Sequence, residues 1–285
     1  MAVTIPRDVL FQYYRFSLYN SPFDAHDEGR AIDLYPDGER APSPVAGEVL
    51  DTKTVRAPPK AYAAEHDHLI LVDTGDTVAR MLHVDPAVEP GETVAVGDDL
   101  GELVRAGFFA PWVPNHIHLG FRDPDANPYR ASGSLPVDVS VDVTPVSWDG
   151  TGTVAEAGET WVRLDEPAHP QLGGSFVGIA NDVDGDSSGV LDGGLPHYSG
   201  GGLLGGDGTD AAVLAGQRVG TADGRTVAWD DLTVLANGER ITGIALFCGR
   251  ERFGAKLVGE GIDFAVGDEV RVTIERAAVG DEASL

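Results

Sequence analysis

Hydrophobic and polar residues alternate in short runs along most of the chain, with Gly, Pro, Asn and Asp between the runs. This is the pattern of β-strands separated by turns. Such runs cover Phe11–Leu18, Ala31–Tyr35, Gly47–Val55, His68–Asp73, Thr77–Val84 and His116–Phe121 in the first half. They return at Thr151–Leu164, Ser175–Ile179, Ala211–Gly220, Arg240–Phe247, Lys256–Val258 and Glu269–Glu275. Pro and Gly interrupt every stretch with helical spacing, and the longest of these, near Pro58–Glu65, is weak. The expectation is an all-β chain. Residues 123–145 are rich in turn formers and separate a first β domain at 1–140 from a second, a small sandwich or barrel, at 146–280. The segment SGGGLLGGDG at 199–208 reads as a loop-like insertion.

Composition narrows the function. Hydrophobic residues make up 42% of 285, enough for a real core and too many for a disordered chain. Lys and Arg number 20 against 46 Asp and Glu, a net charge of −26. A field of that sign repels phosphates, which excludes binding to nucleic acid by phosphate neutralisation and opposes docking on an anionic membrane. Only Lys53, Lys60 and Lys256 are lysines. Many Asp with almost no Lys is the composition of a halophilic cytosol, where hydrated carboxylates stay soluble and salt screens their repulsion. An isolated acidic residue therefore says little here. Cys248 is the single cysteine, which excludes an intramolecular disulfide and a multi-cysteine zinc site. It lies in an apolar run, Ile244–Cys248, and reads as a buried, inert thiol. No apolar stretch approaches the ~18 residues of a membrane span. The opening segment lacks a basic region followed by an apolar one, so the expected location is cytoplasmic.

The histidines carry the chemistry. Residues i and i+2 of a strand face one side, so His116 and His118 present two imidazoles together. Asp33 interrupts the apolar run Ala31-Ile32-Asp33-Leu34, an odd place for a carboxylate without a partner. Imidazole nitrogens with a carboxylate oxygen are the ligand set of a catalytic zinc site. Further histidines nearby can serve as general base or as donors to a developing oxyanion. His66-Asp67-His68 has the same spacing but precedes an apolar strand and reads as its solvated start. The acidic stretch Asn181–Asp186 alternates like a calcium loop. Counted from Asp182, however, Ser187 and Gly193 stand where an EF-hand has Gly and Glu, so a solvated acidic loop is expected. His169 and His197, each beside a proline, read as surface or loop residues.

Four pieces recur in a familiar order: His26–Asp33, Ser43–Val49, His83 followed by Val88–Gly101, and His116–His118. Over roughly residues 20–122 this order resembles the lysostaphin-like metallopeptidases of family M23. Those enzymes have a His motif ending in Asp, a Pro-Val strand, a Tyr-x-His, a Gly-punctuated hairpin and a His-x-His. The resemblance implies a duplicated hybrid motif of barrel-sandwich type, an antiparallel β architecture, and Zn2+ as cofactor. It implies His26, Asp33 and His118 as metal ligands, with His83 and His116 orienting water and stabilising the oxyanion. Two positions depart from the family. Gly29 stands four before Asp33, where the first His is usual, and His26 lies seven before it; Met81 replaces the Tyr of Tyr-x-His. Two readings follow. One is an intracellular zinc hydrolase with a long loop, acting on a peptide or small-molecule substrate. The other is a catalytically degenerate binding or structural module without metal. A phosphotransfer domain like those of sugar permeases, with two neighbouring histidines, ranks third because Asp33 with His-x-His favours metal. The C-terminal half has no comparable resemblance.

Overall fold

The computed structural model describes residues 2–171, 174–183, 185–206 and 210–276. The chain is all-β, and its one α-helix among the described residues is the single turn Arg7–Leu10. In the first half an antiparallel sheet runs, in spatial order, Gly47–Arg56, His66–Asp73, Val78–Leu82, Ile117–Arg122, Ala31–Pro36 and Tyr13–Ser17. One face of this sheet is apolar. Ile32, Leu34, Ile70, Val72, Met81, Ile117 and Leu119 pack into the first core. A three-stranded sheet of Arg40–Pro42, Asp99–Leu103 and Val84–Pro86 stands beside it. The register assigns the opposite face. His118 is paired with both Asp33 and Leu82, Gly120 with Arg80, and Leu71 with Arg80. Residues directly opposite in antiparallel strands share a face, so Asp33, Arg80, Leu82, His118, Gly120 and Arg122 lie together.

The second half winds further strands around its own core, which includes Val162, Leu164, Leu191, Leu195, Ile244, Leu246 and Val272. The two halves share hydrogen-bonded sheet. Phe16 and Arg15 pair with Cys248 and Gly249, and Gly249 pairs in turn with Val177. Cys248 is fully buried, and burial holds its thiol well above the usual range.

Several expected strands divide where the chain needs a reversal. Thr77–Val84 stops at Leu82 because His83 takes a left-handed φ of 70°, and the chain resumes as Val84–Pro86 in the smaller sheet. Thr151–Leu164 is a hairpin, Thr151–Gly158 with Trp161–Leu164. Ala211–Gly220 divides into Ala211–Leu214 and Gln217–Asp223. Pro58–Glu65 forms turns, not helix. The glycine-rich segment is a correction: Gly200–Leu204 is a strand, not a loop. Its glycines serve close approach, since a Cβ on Gly202 or Gly201 would run into the rings of Tyr19 and Trp229. Residues 207 and 208 of that segment lie outside the described residues.

Candidate metal centre

Asp33 and His118 are opposite one another on adjacent strands, and His118 Nδ1 lies 3.0 Å from Asp33 Oδ1. His26 comes from a different kind of element, the 3-10 segment Asp24–Gly29. That segment closes with Glu28 and Gly29 in left-handed conformations, φ 57° and 67°. This reversal joins the loop to the Ala31–Pro36 strand with His26 turned inward. His26 Nε2 lies 3.0 Å from His118 Nδ1 and 3.2 Å from Asp33 Oδ1. A tetrahedral zinc ion with bonds of about 2.0–2.1 Å places its ligand atoms about 3.3 Å apart, so the three donors already sit close to that spacing. Position 29 does not point here. A Cβ there would meet Arg225 Nη2 and Tyr19 Oη.

An outer layer fixes His26. Its Nδ1 donates to the Leu18 carbonyl at 2.8 Å, which leaves Nε2 free to ligate. Leu18 is itself held by Asp192, from the Asp186–Leu195 strand of the second half. Asp192 Oδ2 accepts from the Leu18 and Tyr19 amides at 2.6 and 3.2 Å, and Oδ1 accepts from Ser17 Oγ at 2.6 Å. Asp192 is fully enclosed, and burial pushes its carboxyl up to about 6 despite these donors.

Two more histidines adjoin the cluster. His116 Nδ1 donates to the Pro114 carbonyl at 2.9 Å, and its Nε2 faces Asp33 Oδ2 at 3.5 Å. His83, held at its left-handed φ, donates from its backbone amide to Asp67 Oδ1 at 3.1 Å and from Nδ1 to Asp67 Oδ2 at 2.7 Å. The His83 and His116 rings are 5.0 Å apart, and Phe109 packs against both. All five expected site residues are thus in one place, each less than a tenth exposed. Burial lowers His116 to about 3 and His118 to about 4, so both are neutral imidazoles near pH 7. Burial opposes ionisation of Asp33, but the charge of His26 and the hydrogen bonds from His118 and His26 outweigh it and hold the carboxyl well below its usual range. Burial likewise works against protonation of His26, and the Asp33 charge overcomes it, raising His26.

Asp67 was not expected. His66 is exposed and His68 half-buried, while the aspartate between them is fully buried against His83. The signal was present: Asp67 shares a face with Leu69 and Leu71, the same alternation that singled out Asp33. Met81 packs in the core on the other face, so the missing Tyr does not touch the cluster. His169 and His197 stay outside the cluster. His197 corrects the surface expectation, because both its ring nitrogens are buried, its ring packs against Trp112 and Tyr198, and burial lowers it to about 4. In the acidic stretch, residues 181–183 end one strand and Asp186 begins the strand paired with it, and Ser187 Oγ donates to Asp182. Asp184 lies outside the described residues. No helix among the described residues is long and apolar enough to cross a membrane.

The donor set suits zinc, with two neutral-capable imidazoles and one ionised carboxylate converging, and the three form a grouping that could hold a metal ion. Comparisons place the chain without naming an activity. No curated protein matches it in sequence. Among solved structures, the SpoIIQ–SpoIIIAH pore-forming complex aligns at TM-score 0.22 and 16% identity, over 34% of this chain and 52% of that one. The chain therefore spans about half the length of that relative. The solution structure of lysostaphin aligns at TM-score 0.27 and 11% identity, over 89% of this chain and 96% of that one. Residues 4–139 match the N-terminal domain of the domain of unknown function DUF8155, and residues 144–275 match its C-terminal domain. The chain is built from the two domains of the DUF8155 family, in that order.

Proposed function

We propose that this protein is a zinc-dependent hydrolase of peptide or amide bonds, with His26, Asp33 and His118 as metal ligands. The observation that carries this reading is the convergence of three donor atoms, 3.0–3.2 Å apart, from a loop and two strands. The order of the motifs, which resembles that of the M23 metallopeptidases, supports the same assignment. Bound there, Zn2+ would act as a Lewis acid and bring the pKa of a water to ~7. His83 is the general base. Its Nδ1 proton is fixed on Asp67, so Nε2 is the nitrogen that takes a proton, and the buried Asp67 carboxylate stabilises the imidazolium that results. The same Nε2–H then donates to the oxyanion or the leaving amine. His116 orients the attacking water through Nε2, its Nδ1 proton being committed to Pro114.

Metal content by plasma mass spectrometry tests the reading, on protein purified in high salt without added zinc. One zinc per chain is expected, absent from Asp33→Ala. No metal in the parent after dialysis against zinc would overturn the hydrolase and leave a binding module.

A further inference from the structure

The sheet face that carries Asp33 and His118 continues beyond them. Two residues along the Ile117–Arg122 strand, about 7 Å at strand rise, Gly120 stands directly opposite Arg80. Gly120 itself places no side chain between His118 and Arg122; the buried Ser134 hydroxyl closes over it, 3.2 Å from where a Cβ would stand, and so borders the face on the side away from Arg80. Leu69, Leu71, Val78 and Leu82 form an apolar surround on this face. Arg122 is held through both of its Nη atoms, which donate to Ser134 Oγ and to the carbonyls of Phe121, Arg130 and Ala131, and only its Nε lacks an acceptor. Arg80 is not held in this way. It is only 6% exposed, its Nε is sealed from solvent without an acceptor, and it has no hydrogen bond or ion pair among the described residues. The charge acting on it is another cation, Arg122, and burial with that repulsion lowers it to about 10, still protonated near neutral pH.

A buried guanidinium normally has a carboxylate or a set of carbonyls. Among the described residues no carboxylate is set against Arg80, in a chain whose acidic residues outnumber its basic ones 46 to 20. An unpaired buried charge is costly to the fold, and a ligand anion would satisfy it in a low-dielectric wall where a charge-assisted bond is strong.

We propose that Arg80 is an anion-binding subsite on the same sheet face, and that the substrate carries a carboxylate one or two residues from the bond at the His26–Asp33–His118 centre. This rests on the hydrolase reading for the word substrate, but the anion site itself does not need the metal. The carboxylate is either an acidic side chain or the free end of a peptide.

The test uses the full chain as parent, Arg80→Met and Arg80→Lys, plus Asp33→Ala to remove the metal. The probes are N-acetylated tripeptides in three forms: a C-terminal carboxylate, a C-terminal amide, and an internal Asp with an amidated end. Calorimetry at high salt reads binding, and hydrolysis is read in parallel. At least tenfold tighter binding of one carboxylate form over the neutral amide is expected in the parent and in Asp33→Ala, and it identifies the source of the anion. That preference disappears in Arg80→Met and partly survives in Arg80→Lys. The melting temperature of Arg80→Met stays level or rises, because an unpaired charge has been removed; a purely structural arginine would lower it. Equal affinity for charged and neutral peptides in the parent, or a preference retained in Arg80→Met, overturns the subsite. Zinc binding with no charge preference refutes the subsite alone; an Arg80-dependent preference in a parent that holds no zinc refutes the hydrolase alone.

Discussion

Asp192 lies in the second half of the chain, yet it supports His26, the first of the proposed metal ligands, in the first half. The perturbation is Asp192→Ala. It strips acceptors from the Ser17 hydroxyl and from the Leu18 and Tyr19 amides, in a region where Ser17 and Leu18 are fully buried. A buried donor left unmet costs about 1–3 kcal/mol. The two bonds of 2.6 Å alone therefore account for roughly 2–6 kcal/mol of stability. The consequence for the site runs through one carbonyl. Leu18 O orients His26 Nδ1, and once Leu18 is free to move, His26 Nε2 no longer holds its aim at Asp33 and His118. Removing such an outer partner commonly weakens a metal site 10–100-fold, or about 1.4–2.8 kcal/mol. Zinc affinity is read by competition with a chromophoric chelator, and circular dichroism establishes that each variant is folded. Asp192→Asn carries the test if the alanine variant unfolds. It keeps one oxygen acceptor, so a smaller loss is expected in the same direction. A folded variant with the parent's zinc affinity, for both substitutions, would refute the reasoning.

Two further predictions concern the buried acids. Asp67→Asn is expected to leave one zinc per chain while lowering kcat by at least about tenfold, because the asparagine no longer fixes the His83 tautomer or stabilises its protonated form; zinc analysis beside turnover separates the two roles. The raised carboxyl of Asp192, about 6 against an unfolded value near 3.8, binds its proton more tightly in the folded state. Its contribution is complete below the unfolded value and is lost as pH rises through about 6, a fall on the order of 3 kcal/mol at about 1.4 kcal/mol per unit. Denaturant unfolding of the parent from pH 3.5 to 7 is expected to show this component, and Asp192→Asn to lack it.

What could be read along the sequence follows from how local each signal is. Strand alternation depends on neighbours two apart, so the sheet that carries Asp33 and His118 was legible, and so was the pairing of His116 with His118 on one side. The breaks inside expected strands were not, because they depend on single left-handed residues such as His83 and Ala215. A histidine at positive φ leaves no mark in a hydropathy pattern. The glycines of 200–204 misled for the opposite reason. Their composition says flexible, but Gly201 and Gly202 lie under the rings of Trp229 and Tyr19, whose positions are set elsewhere in the chain, and Gly200 lies against the Val227 carbonyl.

His26, the first proposed ligand, shows how a spacing expected from a resemblance misleads when the loop geometry differs. Counting back four from Asp33 lands on Gly29, which invites the conclusion that the site has decayed. Gly29 is instead required as glycine. Its φ of 67° and the approach of Arg225 and Tyr19 leave no place for a side chain, and the turn it forms with Glu28 delivers His26 from three residues earlier. Arg225 also donates to Asp138 and to the Val137 carbonyl, so the turn rests on the contact between the two halves. Asp192 reaches the same loop from the other side, through Leu18, across 174 positions of sequence. Both supports of His26 thus come from the second half. A reading confined to residues 20–122 can name the candidate ligands but cannot explain why a histidine seven positions before Asp33 arrives in register; the C-terminal domain supplies that explanation.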